Sequence, residues 1–253
     1  MAICSKLGRM STGARPKILL LGALMLAAIL AIAGARAVSA GAKAHAASRS
    51  GPSSMASHRE SVTSLLGGIP ENADVLGKPT APVTLVMFGD LECPVCRTFV
   101  LGALPSVIRR WVRSGDVRLV YASLETATRE PEVFATQQVA AYAAGAQRKA
   151  WYYIEFFYRE QGEEDTGYVT ESYLDHIARQ VPGLDFARWK RARVLSRYRS
   201  QIEGDTQAAN KLGLTGTPAF QIGRTGGRLK LLEIESLTDP HSINRAIEAI
   251  LAG

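Results

Sequence analysis

Cysteine is scarce in this chain: three occur in 253 residues, at Cys4, Cys93 and Cys96. A single close pair is no scaffold for a domain of this size, because a disulfide across so short a loop takes little entropy from the unfolded chain. Histidine is scarce too, with four residues scattered along the sequence. A structural zinc site needs four converging ligands, so one Cys-x-x-Cys with dispersed imidazoles gives no reason to expect a metal. Carboxylates are missing from residues 1–40, which hold Lys6, Arg9, Arg15, Lys17 and Arg36. The net charge of +7 is concentrated there, and the rest of the chain carries 25 Lys+Arg against 23 Asp+Glu. A nearly neutral body lacks the electrostatic footprint of a nucleic-acid partner. No internal repeat is present, which excludes a solenoid or propeller.

What the chain does have, early on, is an uncharged apolar run from Ile18 to Ala35 behind Arg9, Arg15 and Lys17. It reads as an export segment. Its length is at the short edge of a bilayer span and above the usual signal core, so an uncleaved single-pass anchor is favoured over a signal cleaved near Val38-Ser39-Ala40. Either way, positive-inside orientation sends everything after Arg36 out of the cytoplasm, into a membrane-attached, secreted or periplasmic location. Cys4 stays on the reducing side or leaves with the signal, and only Cys93 and Cys96 face oxidising conditions. Residues 41–64 are Ala/Ser-rich without hydrophobic period and read as a disordered linker in which His45 and His58 are solvated. Residues 65–253 are left for one folded domain.

Within that domain, Leu65–Pro82 is a turn-rich lead-in with room for a short strand. Val83–Phe88 is a continuous apolar, β-branched run, the pattern of a central strand covered on both faces. A helix carrying Phe99, Leu101, Leu104, Val107, Ile108 and Trp111 follows, kinked by Pro105 and stopped near Gly115; Val117–Ala122 is the next strand. From about 130 to 212 the pattern is helical, an inserted subdomain. Thr170 and Asp185 are candidate N-caps for helices over Glu171–Gln180 and Phe186–Leu195, and Gly213 a C-terminal stop. His176 reads as a surface residue, and the cations from Arg188 to Arg199 as a solvated face. Ala219–Ile222 and Leu229–Leu232 form a hairpin through Gly226-Gly227, and Asp239-Pro240 opens a last helix with Ile243, Ile247, Ile250 and Leu251 on one face.

Cys93-Pro94-Val95-Cys96 lies between the central strand and the first helix. With Cys93 as N-cap, Pro94 takes the first helical position, where its missing N–H costs nothing, and Val95 and Cys96 offer free N–H groups to the Cys93 sulfur. Those donors and the positive helix end stabilise a thiolate, so the Cys93 pKa is expected below about 8.5. Cys96, one turn in, is within disulfide reach and buried. Cys93 is the exposed nucleophile and Cys96 its partner.

The element order, this motif within Phe88–Cys96, and Leu212-Gly213-Leu214-Thr215-Gly216-Thr217-Pro218 before the hairpin together resemble the DsbA-like thiol-disulfide oxidoreductases of the thioredoxin superfamily. The resemblance covers about residues 66–253. It implies an α/β thioredoxin-like fold with a central mixed sheet, and a cis Pro218 facing the cysteines. Thr217 would then pair with an extended substrate, with Pro94 and Val95 beside it. It also implies protein substrates outside the cytoplasm, no cofactor, and a membrane quinone-linked partner for reoxidation; a monomer is expected. An oxidase is favoured, because isomerases of the superfamily commonly carry a dimerisation domain for which residues 41–64 are too short and polar. A reductase or isomerase, or a tethered binding module with an inert Cys93–Cys96 staple, remain the alternatives. Two departures from the family stand out. Val95 occupies the place of a histidine that aids the thiolate, and Met87 the place of a buried acid six residues before the first cysteine. Asp90 or Glu92 is left either to replace that acid or to be a loop charge.

Overall fold

A computed structural model describes residues 52–253. The expected export segment, with Cys4, and the first part of the expected linker, with His45, lie outside the described residues. The rest of that linker is a correction. A helix, α1 (Pro52–Leu66), begins where a disordered tether is expected. Its last turn buries Val62, Leu65 and Leu66 in the main core. The Arg113 guanidinium caps its end by donating to the carbonyls of Ser64, Leu65 and Gly67 at 3.2, 2.7 and 3.0 Å. A cation on the last carbonyls of a helix satisfies acceptors that the helix itself leaves open.

Among the described residues, six strands form one mixed sheet: β1 (Glu71–Asn72), β2 (Val75–Leu76), β3 (Val83–Gly89), β4 (Val117–Ser123), β5 (Ala219–Arg224) and β6 (Lys230–Leu232), in the order β1-β2-β4-β3-β5-β6. Strand β3 runs parallel to β4 and antiparallel to β5, and every residue in it is buried. Alternation sends Val83, Leu85 and Met87 to the main core and Val86 and Phe88 to a smaller cluster with Ala122, Leu124 and Ala209 on the other face. The expected thioredoxin-like α/β architecture is present.

The crossover from β3 to β4 is α2 (Pro94–Leu101), α3 (Leu104–Val107) and a π-helical turn over Ile108–Val112. The expected Pro105 kink is a full break at Gly102 and Ala103, one turn earlier than the proline itself. Pro105 has no N–H for the Leu101 carbonyl and its ring crowds that residue, while Ala103 N–H turns aside to the Leu237 carbonyl at 3.1 Å. Between β4 and β5 lie α4 (Pro131–Gly145), α5 (Ala150–Glu160), α6 (Glu171–Gln180), α7 (Phe186–Ala192) and α8 (Ser196–Lys211). Trp151, Tyr153, Phe156, Phe157, Tyr158 and Trp189 are fully buried among them. Thr170 and Asp185 cap α6 and α7 through Tyr173 N–H and Arg188 N–H. Helix α7 ends at Ala192 instead of Leu195, since Leu195 is already the extended N-cap residue of α8. Gly213, past the end of α8, sits at φ 69°. Lys190 and Arg193 pair with Glu171 and Asp175, and Arg199 with Glu132. His58 and His176 flank the buried Glu160 carboxylate at 3.8 and 2.8 Å, so neither is simply a solvated side chain. The final helix, α9 (His241–Ala252), buries Ile243 and Ile247.

Candidate active site

The sequence places Cys93 at a helix start, and the backbone obeys: Cys93 is extended at φ −69°, ψ 117°, Pro94 opens α2, and Cys96 N–H donates to Cys93 Sγ at 3.3 Å. Both cysteines are free thiols. From the opposite loop, the Thr217 carbonyl lies 3.4 Å from Cys93 Sγ, and the Thr217–Pro218 peptide is cis. The structure therefore brings Cys93, Cys96 and the Thr217–Pro218 loop together. Pro94 and Val95 are exposed beside them, Val95 at 44%. Cys93 is less open than expected, at 4%. Thr217 stands before its sulfur, and the Gln161 amide donates to the carbonyls of Leu91 and Cys93 at 2.6 and 3.1 Å, holding that turn down.

The two thiols are driven apart. A hydrogen bond from the Cys96 side chain is the largest influence on Cys93; together with the Thr217 hydroxyl and the N–H groups of Cys96 and Val95 it outweighs burial and brings the Cys93 pKa down to about 6. Burial, and then Cys93 itself, push Cys96 well above the ordinary thiol range. At neutral pH the pair holds one thiolate, at Cys93, and one thiol. Behind it, Tyr158 donates to the Asp90 carbonyl at 3.0 Å, and the single Tyr121 hydroxyl is shared between the Gly89 carbonyl at 3.1 Å and Gln138 at 3.0 Å. Gly89 is required by this packing, because a Cβ there would meet the Tyr121 ring at 2.9 Å.

Neither acidic candidate is an exposed loop charge: Asp90 is fully buried and Glu92 is 3% exposed. Asp90 Oδ2 accepts from the N–H groups of Thr126, Ala127 and Thr128 at 3.0, 2.9 and 2.9 Å, while Oδ1 accepts from Glu92 N–H at 3.1 Å and the Thr128 hydroxyl at 2.7 Å. With five donors on it, this carboxylate is committed to holding two loops. Burial pushes Glu92 up to about 7 against the pull of the Thr128 hydroxyl, and the neighbouring Asp90 charge adds to the rise. Met87 is fully buried in the main core. Thr126, Gln161, Tyr121 and Tyr158 escape sequence reasoning because nothing in their spacing ties them to the cysteines. Thr126, for instance, meets Thr217 hydroxyl to hydroxyl at 2.5 Å across 91 positions.

A family model described as thioredoxin matches residues 71–239. The chain belongs to that thioredoxin family. Among curated relatives, a probable disulfide bond formation protein D of Bacillus anthracis is 27% identical over 163 residues, covering 64% of this chain and 73% of that protein. Among solved structures, oxidised BdbD from Bacillus subtilis superposes with a TM-score of 0.61 at 24% identity, over 75% of this thioredoxin-family chain and 99% of that one. Pseudomonas aeruginosa DsbA2 superposes with a TM-score of 0.51 at 26% identity, over 72% and 96% of the respective chains.

Proposed function

We propose that this thiol-disulfide oxidoreductase works as an oxidase of proteins outside the cytoplasm, with Cys93 and Cys96 as its redox pair. In the oxidised form a substrate thiolate attacks Cys93 Sγ; the Cys93–Cys96 bond breaks, Cys96 leaves and takes up a proton, and a mixed disulfide joins substrate to Cys93. The substrate's second thiolate then attacks its own sulfur in that mixed disulfide, and Cys93 leaves as the thiolate. Two electrons pass to the pair and one disulfide to the substrate. The observation that carries this reading is the Cys93 sulfur at the N-cap of α2, held by the Cys96 N–H at 3.3 Å beside the fully buried Cys96 thiol, since a thiolate stabilised there is a good leaving group and favours the dithiol product. The Thr217 backbone is the docking edge for the substrate, and Pro94 and Val95 are its exposed neighbours.

The dithiol is returned to the disulfide by a membrane quinone-linked partner. Among the described residues no helix is long and apolar enough to cross a membrane; attachment, on this reading, belongs to the Ile18–Ala35 run. The test is oxidation of a reduced, unfolded two-cysteine protein by the oxidised chain, followed by thiol trapping. Stoichiometric substrate disulfide, lost in Cys93→Ser, is the expected result. No transfer from the wild type, or a pair found mostly reduced in intact cells, overturns the oxidase reading.

A further inference from the structure

The hydrogen bonds on Asp90 reach beyond the turn that bears it. Three consecutive N–H groups, of Thr126, Ala127 and Thr128, converge on one carboxylate oxygen and fix the backbone of a loop distant in sequence. The same residue holds the nucleophile's own turn: its carbonyl accepts Cys93 N–H at 3.1 Å and the Tyr158 hydroxyl at 3.0 Å. From the loop so fixed, the Thr126 hydroxyl meets the Thr217 hydroxyl at 2.5 Å; the Thr217 carbonyl lies 3.4 Å from the Cys93 sulfur, and the Thr217 hydroxyl is among the groups that favour the Cys93 thiolate. Each hydroxyl has one proton to give. For Thr217 to donate toward a Cys93 thiolate, Thr126 must be the donor within their pair.

We infer that Asp90 and Thr126 are positioning residues for the Cys93 centre: through the 126–128 backbone and the Thr126–Thr217 hydroxyl pair, the Asp90 carboxylate orients the Thr217 hydroxyl and carbonyl against the Cys93 sulfur. This rests on the oxidoreductase reading of the site. It gives the buried acid of the Phe88–Cys96 segment a task other than proton transfer. All of its acceptor capacity points at the loop facing the nucleophile, and at the turn beside it.

The informative variant is Thr126→Val, which loses one solvent-facing hydroxyl and keeps every backbone bond to Asp90, so the fold is not at stake. A neutral hydrogen bond contributes about 1 kcal/mol, which corresponds to about fivefold in a rate. Thr126→Val is expected to slow oxidation of a dithiol peptide about fivefold and to raise the Cys93 pKa read from thiolate absorbance. Thr126→Ser, which restores the hydroxyl, recovers both, and Asp90→Asn moves both in the same direction as Thr126→Val. A Thr126→Val protein equal to wild type in both readouts, or a Thr126→Ser protein that fails to recover them, overturns the positioning role. A wild type that oxidises no peptide overturns the oxidoreductase reading instead, so the two failures are distinguishable.

Discussion

Replacing Cys96 by alanine tests where the acidity of Cys93 comes from. The Cys96 side chain is the first of the groups that lower the Cys93 pKa to about 6, ahead of the Thr217 hydroxyl and the N–H groups at the start of α2. Alanine removes that S–H donor and leaves the others in place. A hydrogen bond to a charged acceptor contributes about 1.5–3 kcal/mol, and one pKa unit is about 1.4 kcal/mol, so the Cys93 pKa should rise by about one to two units. At pH 7 the thiolate fraction then falls from about nine-tenths to half or less. Thiolate absorbance at 240 nm, followed from about pH 4 to 10 in Cys96→Ala, reads this directly, and the pH profile of iodoacetamide alkylation should shift with it. A variant whose Cys93 still titrates near 6 would refute the reasoning, because the Thr217 hydroxyl and the N–H groups at the start of α2 would then suffice.

Three other perturbations have defined signs. Val95→His puts a donor and a cation beside the Cys93 thiolate at an exposed position, so it should lower the Cys93 pKa and make the pair more oxidising, by roughly 30 mV for each 1.4 kcal/mol gained; an unchanged glutathione equilibrium would contradict this. Glu92 has a folded-state pKa of about 7 against an ordinary 4.5, so folding disfavours its charged form: no penalty exists below about pH 4.5, and it builds up between about pH 4.5 and 7 and is constant above that. Glu92→Gln should therefore gain on wild type between about pH 5 and pH 8 by at least 2–4 °C in Tm, the equivalent of ~1 kcal/mol in a domain of this size, and a difference independent of pH counts against a buried, uncompensated carboxyl. Arg113→Ala removes the cap on three carbonyls at the end of α1, and should cost about 1–2 kcal/mol and speed amide exchange over residues 52–66; unaltered exchange there would show that the buried Val62, Leu65 and Leu66 suffice.

The parts of this protein that follow local rules are legible in its sequence. The largely apolar run Val83–Phe88 reads as a central strand, and it lies within the fully buried β3. The Cys93 N-cap needs only the positions of Pro94, Val95 and Cys96. Thr170 and Asp185 start helices because a side-chain oxygen there satisfies an orphan N–H. The parts that depend on tertiary partners are not legible. Helix α1 looks like a polar linker because the residues it buries, Val62, Leu65 and Leu66, cluster at its C-terminal end and its cap, Arg113, comes from another element. The break at Gly102 combines a proline effect with an N–H drawn away to Leu237. Asp90 shows the limit most clearly. Its sequence neighbourhood invites a proton-transfer role, whereas its acceptors are spent on residues 126–128, some 36 positions away.

That commitment bears on the two halves of the proposed redox cycle. When the pair oxidises a substrate, Cys96 leaves the disulfide and gains a proton, which its burial favours. When the dithiol is reoxidised, or when the pair works as a reductase, Cys96 must lose that proton in order to attack. The groups acting on the Cys96 thiol are its own burial, Cys93, Thr217 and the Asp90 backbone, and none of these is a carboxylate. Met87 stands where an acid would help, and the Asp90 carboxylate is saturated with donors. On the proposed oxidase reading, the burial of Cys96 favours disulfide donation and weighs against the return step. A partner that reoxidises this pair has to bring a base to Cys96, or make the attack of Cys93 on its own disulfide favourable enough to draw the proton off.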